Sequence, residues 1–448
     1  MGIIKKRVRE GIKLPEHKIT EEEPVEVLQL PDKVIIPAQQ HIGAPNEFIV
    51  KRGDEVKTGQ KIGQSDKFVS APLHAPLSGK VSKTIKVLNP PTGQPIDALT
   101  IESDGKDEWV QLDSMLQIDK IQNWSDAFNR IDNIGAKEAL GRIREAGVVG
   151  LGGATFPTHV KLSPPPEKNI DTFILNGCEC EPFITSDHRV MLEYGRHVLL
   201  GMYIISRILN PQKIYIAIEN NKPDAIEHLD NLLKEMGLED IEIIALPSRY
   251  PMGAEKTLIK TIMGRIVPMG GLPMDVGVVV NNVATSKAVA EAVLEGKPLI
   301  EKVVTVTGLF GKPKNLLARV GTPISKLVSY CNLKQREKYH VILGGPMMGQ
   351  PANDIEFPVT KGLNCVLVKE GAAGDEQNCI RCARCISVCP VDLMPLMYPT
   401  FVKNNAFSQC SEYYIENCIE CGSCSFICPA HIPIVGYIKT GKKKLAKK

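Results

Sequence analysis

The chain has 448 residues, 43% hydrophobic and 23% charged, with a formal net charge of +3; this is the balance of a folded protein of several domains, and it excludes a disordered chain. Near-neutral charge, with no basic stripe interleaved with aromatics, also excludes a nucleic-acid reader. No window supplies the roughly 18 apolar residues of a membrane helix and residues 1–10 are charged with no apolar run behind them, so neither a span nor a leader is expected, and thirteen cysteines in a reducing compartment point to metal rather than disulfides.

Residues 1–30 are polar, with Pro15 and Pro24, and read as an extended arm. From 31 to 105, short β-branched runs are separated by turn signals at Arg52-Gly53-Asp54, Thr58-Gly59-Gln60 and Ser78-Gly79. Residues 50–62, Ala71-Pro72 and 75–81 resemble the lipoyl and biotinyl modules of the barrel-sandwich hybrid fold. Lys67 lies near the place where those modules carry a modified lysine, and an ordinary surface lysine is expected there. From 121 to 298 the pattern alternates. Residues 136–146, 189–208, 223–236, 254–263 and 286–294 read as helices. Between them, 172–175, 213–218, 241–245 and 276–280 are compact apolar runs suited to buried parallel strands. Residues 303–306 and 318–328 suggest a further small β-rich module, and 361–368 leads into a cysteine-rich end. The tail, 436–448, carries Lys442, Lys443, Lys444, Lys447 and Lys448, either a solvated run or a contact for an anionic membrane or partner.

The strongest signal is an internal repeat. Cys379, Cys382, Cys385 and Cys389-Pro390 form C-x2-C-x2-C-x3-C-P, and Cys418, Cys421, Cys424 and Cys428-Pro429 repeat it without a change in spacing. Two-residue gaps let three thiolates converge from one loop onto a [4Fe–4S] cubane. The fourth cysteine, carried away by the following turn, ligates the other cluster. Cluster 1 is therefore assigned Cys379, Cys382, Cys385 and Cys428, and cluster 2 is assigned Cys418, Cys421, Cys424 and Cys389. Paired zinc sites favour two separated C-x2-C knuckles instead. Cys331, Cys365 and Cys410 read as small buried apolar groups.

Residues 147–157 read GVVGLGGATFP. Close glycines let backbone amides approach a planar or phosphorylated ligand. Thr155 stands where a dinucleotide fingerprint has its third glycine, and alone the loop reads equally as a tight turn. Three further segments repeat the theme at strand-to-helix junctions: LNGCECEP at 175–182, YPMGAEK at 250–256 and NNVAT at 281–285. Strand ends are where α/β sheets place ligands, so the four together favour a cofactor site.

These four segments resemble the flavin- and NADH-binding subunit of respiratory complex I. The whole chain resembles the C-subunit family of the Rnf (Rsx) ion-translocating electron-transport complexes, on residues 11–18, Gln40–Pro45, 276–280, 344–349 and both cysteine motifs. The resemblance implies a multidomain α/β protein. It would comprise the arm (1–30), a barrel-sandwich hybrid (31–105) and a Rossmann-like FMN/NADH domain (121–298). A soluble-ligand-binding β-grasp module (299–355), a ferredoxin-like twin-cluster domain (365–435) and the basic tail would follow. It implies noncovalent FMN at Gly150, Gly152, Gly153, Lys161, Asn176, Glu179, Asn281 and Asn282. Phe156, Glu181 and Glu255 would meet NAD(H), with Phe156 near the adenine. Leu151 and Cys178 replace an arginine and an aspartate of the complex I pattern. The implied function is peripheral electron entry in a ferredoxin:NAD+ oxidoreductase on the cytoplasmic side of the cell membrane. Its partners would be the complex's membrane subunits and ferredoxin-like B subunit. A microcompartment cobalamin reductase and a flavin-free electron-transfer scaffold are the alternatives.

Overall fold

The computed structural model describes residues 3–5, 11–88, 94–309, 311–332, 339–352, 354–370 and 374–446. Residues 1–2 and 6–10 of the expected arm, 89–93 of the expected barrel-sandwich hybrid, and 310, 333–338 and 353 of the expected β-grasp module lie outside the described residues. So do Lys447 and Lys448 of the basic tail.

The four apolar runs form a parallel sheet. Its order is Ile4–Lys5, Glu242–Leu246, Lys213–Glu219, Thr172–Gly177, Val278–Asn282. The strands are apolar throughout because helices cover both faces. Phe173, Leu175 and Val279 pack with Val198, Leu199 and Val289 on one side. Ile174, Val278 and Val280 pack with Leu258, Ile259 and Ile262 on the other. The helix expected over 189–208 is two helices, Ser186–Glu193 and Gly195–Leu209, broken at Tyr194. The second helix starts with its backbone pressed on a neighbour. A Cβ on Gly195 would lie 2.6 Å from Leu232 Cδ1.

Residues 33–103 form two facing sheets. One orders Lys33–Pro37, Pro95–Ser103, Gly79–Leu88 and Glu55–Val56; the other orders Glu47–Phe48, Lys61–Gln64 and Leu73–His74. Val34, Ile36, Ile62, Leu73, Leu77 and Leu99 fill the space between. Lys67 is exposed, in the segment joining Lys61–Gln64 to Leu73–His74.

A mixed six-stranded sheet orders Gln350–Pro351, Tyr339–Leu343, Cys365–Glu370, Glu301–Gly308, Lys314–Arg319 and Val25–Val27. It corrects one expectation. The boundary set at 365 cuts through this sheet, because Cys365–Glu370 pairs with both Glu301–Gly308 and Tyr339–Leu343. Two described segments of the arm are strands. Val25–Val27 pairs with Asn315–Leu317, and Ile4–Lys5 with Ile244 and Ala245. The C-terminal part packs short helices and Ile434–Leu445 around Tyr398, Phe401, Ile415 and Ile438. Among the described residues, no helix is long and apolar enough to cross a membrane.

Lys361 ties three of these units together. Its ammonium is buried and donates to the carbonyls of Pro72 (3.1 Å) and Gly147 (2.7 Å). Burial and this charge hold His41 down at about 4 and His74 at about 3. Below pH 6.5 the unfolded chain binds protons at these imidazoles that the folded chain does not, so their contribution to stability falls as pH drops from 6.5 toward 4, by about 1–2 kcal/mol per imidazole between pH 6.5 and 5. Burial pushes the carboxyls of Glu181 and Asp187 up to about 7, so the folded chain takes up protons there over the same range and opposes the loss. The test is therefore a comparison: in urea melts, His41→Gln should lose about 1–2 kcal/mol less than the wild type between pH 6.5 and 5. Equal changes in the two proteins would refute the assignment.

Candidate functional site

The crevice lies at the C-terminal ends of Thr172–Gly177 and Val278–Asn282, where Asn176 and Asn282 are register partners. The glycine loop closes on itself, with Gly150 N donating to Phe156 O (2.9 Å) and Thr155 N to Gly150 O (3.1 Å). Gly152, Gly153 and Ala154 are left exposed, and Phe156 is half-buried. Leu151 turns inward, and its N–H donates to Thr285 Oγ1 at 2.8 Å. Gly152 therefore faces the Asn282 side chain. Asn282 caps the helix Val283–Leu294 through Ala284 N and Thr285 N, and donates to Asp187 at 2.6 Å. Asn176 donates to Gly253 O at 2.9 Å. Two residues on, Glu255 opens the helix Glu255–Met263 and is ion-paired with Lys161. One chain of contacts thus runs through Lys161, Glu255, Gly253, Asn176, Asn282 and Gly152. Beside it Asn281 is buried, and its Nδ2 has no hydrogen-bond partner among the described residues. An open glycine loop next to an orphaned amide donor fits a flat ligand rich in acceptors, as a flavin is.

Two expected contacts are committed elsewhere. Glu179 is buried and accepts from Asp187 N (2.7 Å) and Ser186 Oγ (3.2 Å), so it caps the helix Ser186–Glu193. Glu181 accepts from Met347 N (3.1 Å) and Met348 N (2.8 Å), and burial pushes its carboxyl up to about 7. Each carboxylate sits out of water and takes backbone N–H partners in place of it. Both are braced by Lys18, which sequence reasoning missed. Its ammonium donates to the carbonyls of Glu179 (2.8 Å), Glu181 (2.9 Å) and Ile184 (2.6 Å). Also missed was Lys222, which is ion-paired with Glu219 at 3.0 Å, the two side chains being 2% and 0% exposed.

The cysteine repeat extends to the backbone. Arg381 and Ala383 in the first loop have φ of 55° and 60°, and Glu420 and Gly422 in the second have 56° and 82°. Left-handed residues at alternate positions turn N–H groups toward the loop's concave side, a shape suited to an anionic iron–sulfur cluster. Glu420 N and Leu393 N already donate to Cys418 Sγ and Cys389 Sγ, each at 3.3 Å. Cys379, Cys382, Cys385 and Cys428 line one cavity of about 200 Å³. In the other set, burial raises Cys424, and the neighbouring Cys418, Cys421 and Cys389 raise it further. Two sets of four thiols, each completed by the other motif's last cysteine, fit a pair of cubanes. Among the described residues, no three or more Cys, His, Asp or Glu are grouped for a single metal ion.

The two sets differ in surroundings. Cys421 is buried in a dry contact with Leu14, Tyr250, Cys180 and Met347. Tyr250 Oη donates to Cys421 O at 2.5 Å. Gly422 is pressed on the same loop, since a Cβ there would lie 2.6 Å from Met347 O. Cys379 and Cys382 are exposed.

Residues 143–291 match the domain family described as the Nuo51 FMN-binding domain, and residues 6–106 match the RnfC barrel sandwich hybrid domain. The chain is 45% identical over 401 residues to the C subunit of the proton-translocating ferredoxin:NAD(+) oxidoreductase complex of Clostridium ljungdahlii, covering 89% of this chain and 84% of that one. It is 40% identical over 408 residues to the C subunit of the Na(+)-translocating ferredoxin:NAD(+) oxidoreductase complex of Acetobacterium woodii, covering 89% and 88%. It is also 40% identical over 394 residues to the C subunit of the ion-translocating oxidoreductase complex of Rhodobacter capsulatus, covering 87% and 73%. A solved chain of an NAD+-reducing [NiFe]-hydrogenase overlays with a TM-score of 0.49 at 19% identity, covering 74% of this chain and 64% of that one.

Proposed function

The chain belongs to the C-subunit family of ion-translocating ferredoxin:NAD(+) oxidoreductase complexes, and from that premise we propose that it moves electrons between NAD(H) and a one-electron chain by way of FMN and two [4Fe–4S] clusters. A bound flavin supplies the exchange between hydride and single electrons that a cubane alone cannot make. The chain's own residues prepare the ground for it. The amides of Gly152 and Gly153 and the Asn281 side chain would hold the flavin, while the Gly150 amide is spent on Phe156 O and shapes the loop. Lys161 and Glu255 bound the same crevice, where Glu255 would accept from nicotinamide-ribose hydroxyls. The eight motif cysteines would hold the clusters. The observation that carries the reading is the Tyr250–Cys421 contact, which seats the loop of Cys418, Cys421 and Cys424 on the segment that runs from Tyr250 to Gly253 and Glu255 at the crevice. That set is the inner one, and the set with exposed Cys379 and Cys382 is the outer one. In this reading the chain works at the cytoplasmic face of the cell membrane, with the complex's membrane subunits and its ferredoxin-like B subunit as partners.

The test is NADH-driven bleaching of the reconstituted protein under anaerobic conditions. Glu255→Gln should weaken the apparent NADH affinity about ten- to a hundredfold, the worth of one charge-assisted hydrogen bond. Dithionite should still reduce the clusters, whose ligands lie in another part of the chain. Unchanged bleaching at sub-saturating NADH, together with a lowered melting temperature, would leave Glu255 only a partner for Lys161.

A further inference from the structure

Building on the relay reading, we propose that the loop surface of Ile380, Arg381 and Arg384 docks an acidic one-electron carrier protein, making the outer thiol set the chain's electron port. The internal repeat supplies the comparison. Position by position, Ile380 corresponds to Ile419, Arg381 to Glu420, Ala383 to Gly422 and Arg384 to Ser423. In the inner loop every one of these is covered or neutralised. Ile419 packs with Leu14, Tyr250 and Cys421. Glu420 is ion-paired with Lys442 at 2.9 Å. Gly422 lies under Met347, and Ser423 is fully buried. In the outer loop the same four positions are bare. Ile380 is 69% exposed, and Arg381, Ala383 and Arg384 are exposed beside it. Among the described residues neither arginine makes an ion pair, whereas nearby Lys403 is already paired with Glu376 at 2.7 Å.

The inner loop thus shows what a covered cysteine loop looks like in this protein, and the outer loop has matching left-handed residues with no described residue covering it. Two unpaired arginines around one apolar side chain are the features of a small, charge-steered redox contact. They select an acidic face. A second copy would bring the same positive loop, and one isoleucine offers little to insert into a bilayer. Each encounter moves one electron, so two reduced carrier molecules are oxidised for each NAD+ that takes up a proton and two electrons to become NADH.

The experiment uses the full chain with flavin and clusters loaded, and a purified acidic [4Fe–4S] ferredoxin as the probe. The second-order rate at which the chain oxidises reduced ferredoxin, freed of excess reductant, is followed by stopped flow from low to physiological salt. The wild type should slow steeply with salt. Arg384→Glu should lower the low-salt rate at least about tenfold, with iron content, cluster EPR and NADH-driven bleaching unchanged. If that variant loses iron, Arg384→Gln and Ile380→Ser serve in its place, each with a smaller loss of rate expected. A wild-type rate and salt dependence in cluster-replete variants would overturn the proposal. So would loss of binding to anionic phospholipid vesicles, or of self-association, as the variants' only defect. The oxidised clusters accept these electrons without NAD(H), which separates the readings. If NADH fails to bleach the clusters, the relay reading falls while the docking test still reports.

Discussion

Cys389→Ala should destroy the cluster held by Cys418, Cys421 and Cys424, and spare the one in its own motif. Iron content should fall by about half, and the surviving EPR signal should belong to the set of Cys379, Cys382 and Cys385. The physical ground is which thiols lie together. The Cys424 thiol is raised by burial and then by Cys418, Cys421 and Cys389. The Cys385 thiol is raised by burial and then by Cys379 and Cys428. Each last cysteine is carried across by the turn after it, where Asp392 and His431 take matching left-handed conformations. Cys428→Ala is the mirror experiment and should remove the other cluster. Because the inner set adjoins the crevice, Cys389→Ala should also stop NADH from bleaching the surviving cluster, while dithionite still reduces it. Loss of the cluster of Cys379, Cys382 and Cys385 in Cys389→Ala would show that each motif keeps its own fourth ligand.

Lys222→Met should cost about 3–5 kcal/mol, the usual penalty for stranding one partner of a buried ion pair. Glu219 has no exposed surface, and its second carboxylate oxygen has no partner among the described residues even with Lys222 in place. Without the lysine its charge faces Cys178 and Cys180, thiols that burial and Glu219 already raise. Urea melts should show the loss, and flavin content should fall with it, since the segment of Cys178 and Cys180 runs on from Asn176. Lys222→Met/Glu219→Leu should recover most of the stability, because removing both charges also removes the desolvation cost. Equal melting midpoints for Lys222→Met and the wild type would mean that the carboxylate finds water.

Much of the architecture is legible in the sequence because it rests on local patterns. The apolar runs at 172–175, 213–218 and 276–280 suit strands buried on both faces. The spacing of the cysteines supplies the expectation of a crossed grouping, which Cys389→Ala tests. What escapes depends on contacts between distant segments. Lys18 reads as one more charge in a polar arm until the carbonyls of Glu179 and Glu181, more than 160 residues later, close on its ammonium. Glu181 looks like a free ligand for a nucleotide because nothing nearby reveals that Met347 and Met348 donate to it. Lys222 and Glu219 are three residues apart, yet a pair at that spacing ordinarily lies on a helix surface, and only the packed sheet shows it to be internal. Cys365–Glu370 reads with the cysteine motifs that follow it because a strand's partners cannot be told from its own composition.

The paired arm has a consequence for how the chain is made. Ile4–Lys5 cannot join its sheet until Ile244 and Ala245 have emerged from the ribosome, and Val25–Val27 must wait for Asn315–Leu317. These early segments are therefore completed late. Until then the edges of two sheets stand open, and unpaired edges in slow, long-range topologies invite pairing with other chains. Glu301–Gly308 in turn waits for Cys365–Glu370. Nascent chains released before about residue 370 should be the ones that aggregate or recruit chaperones, whereas chains that have passed that point can complete both sheets.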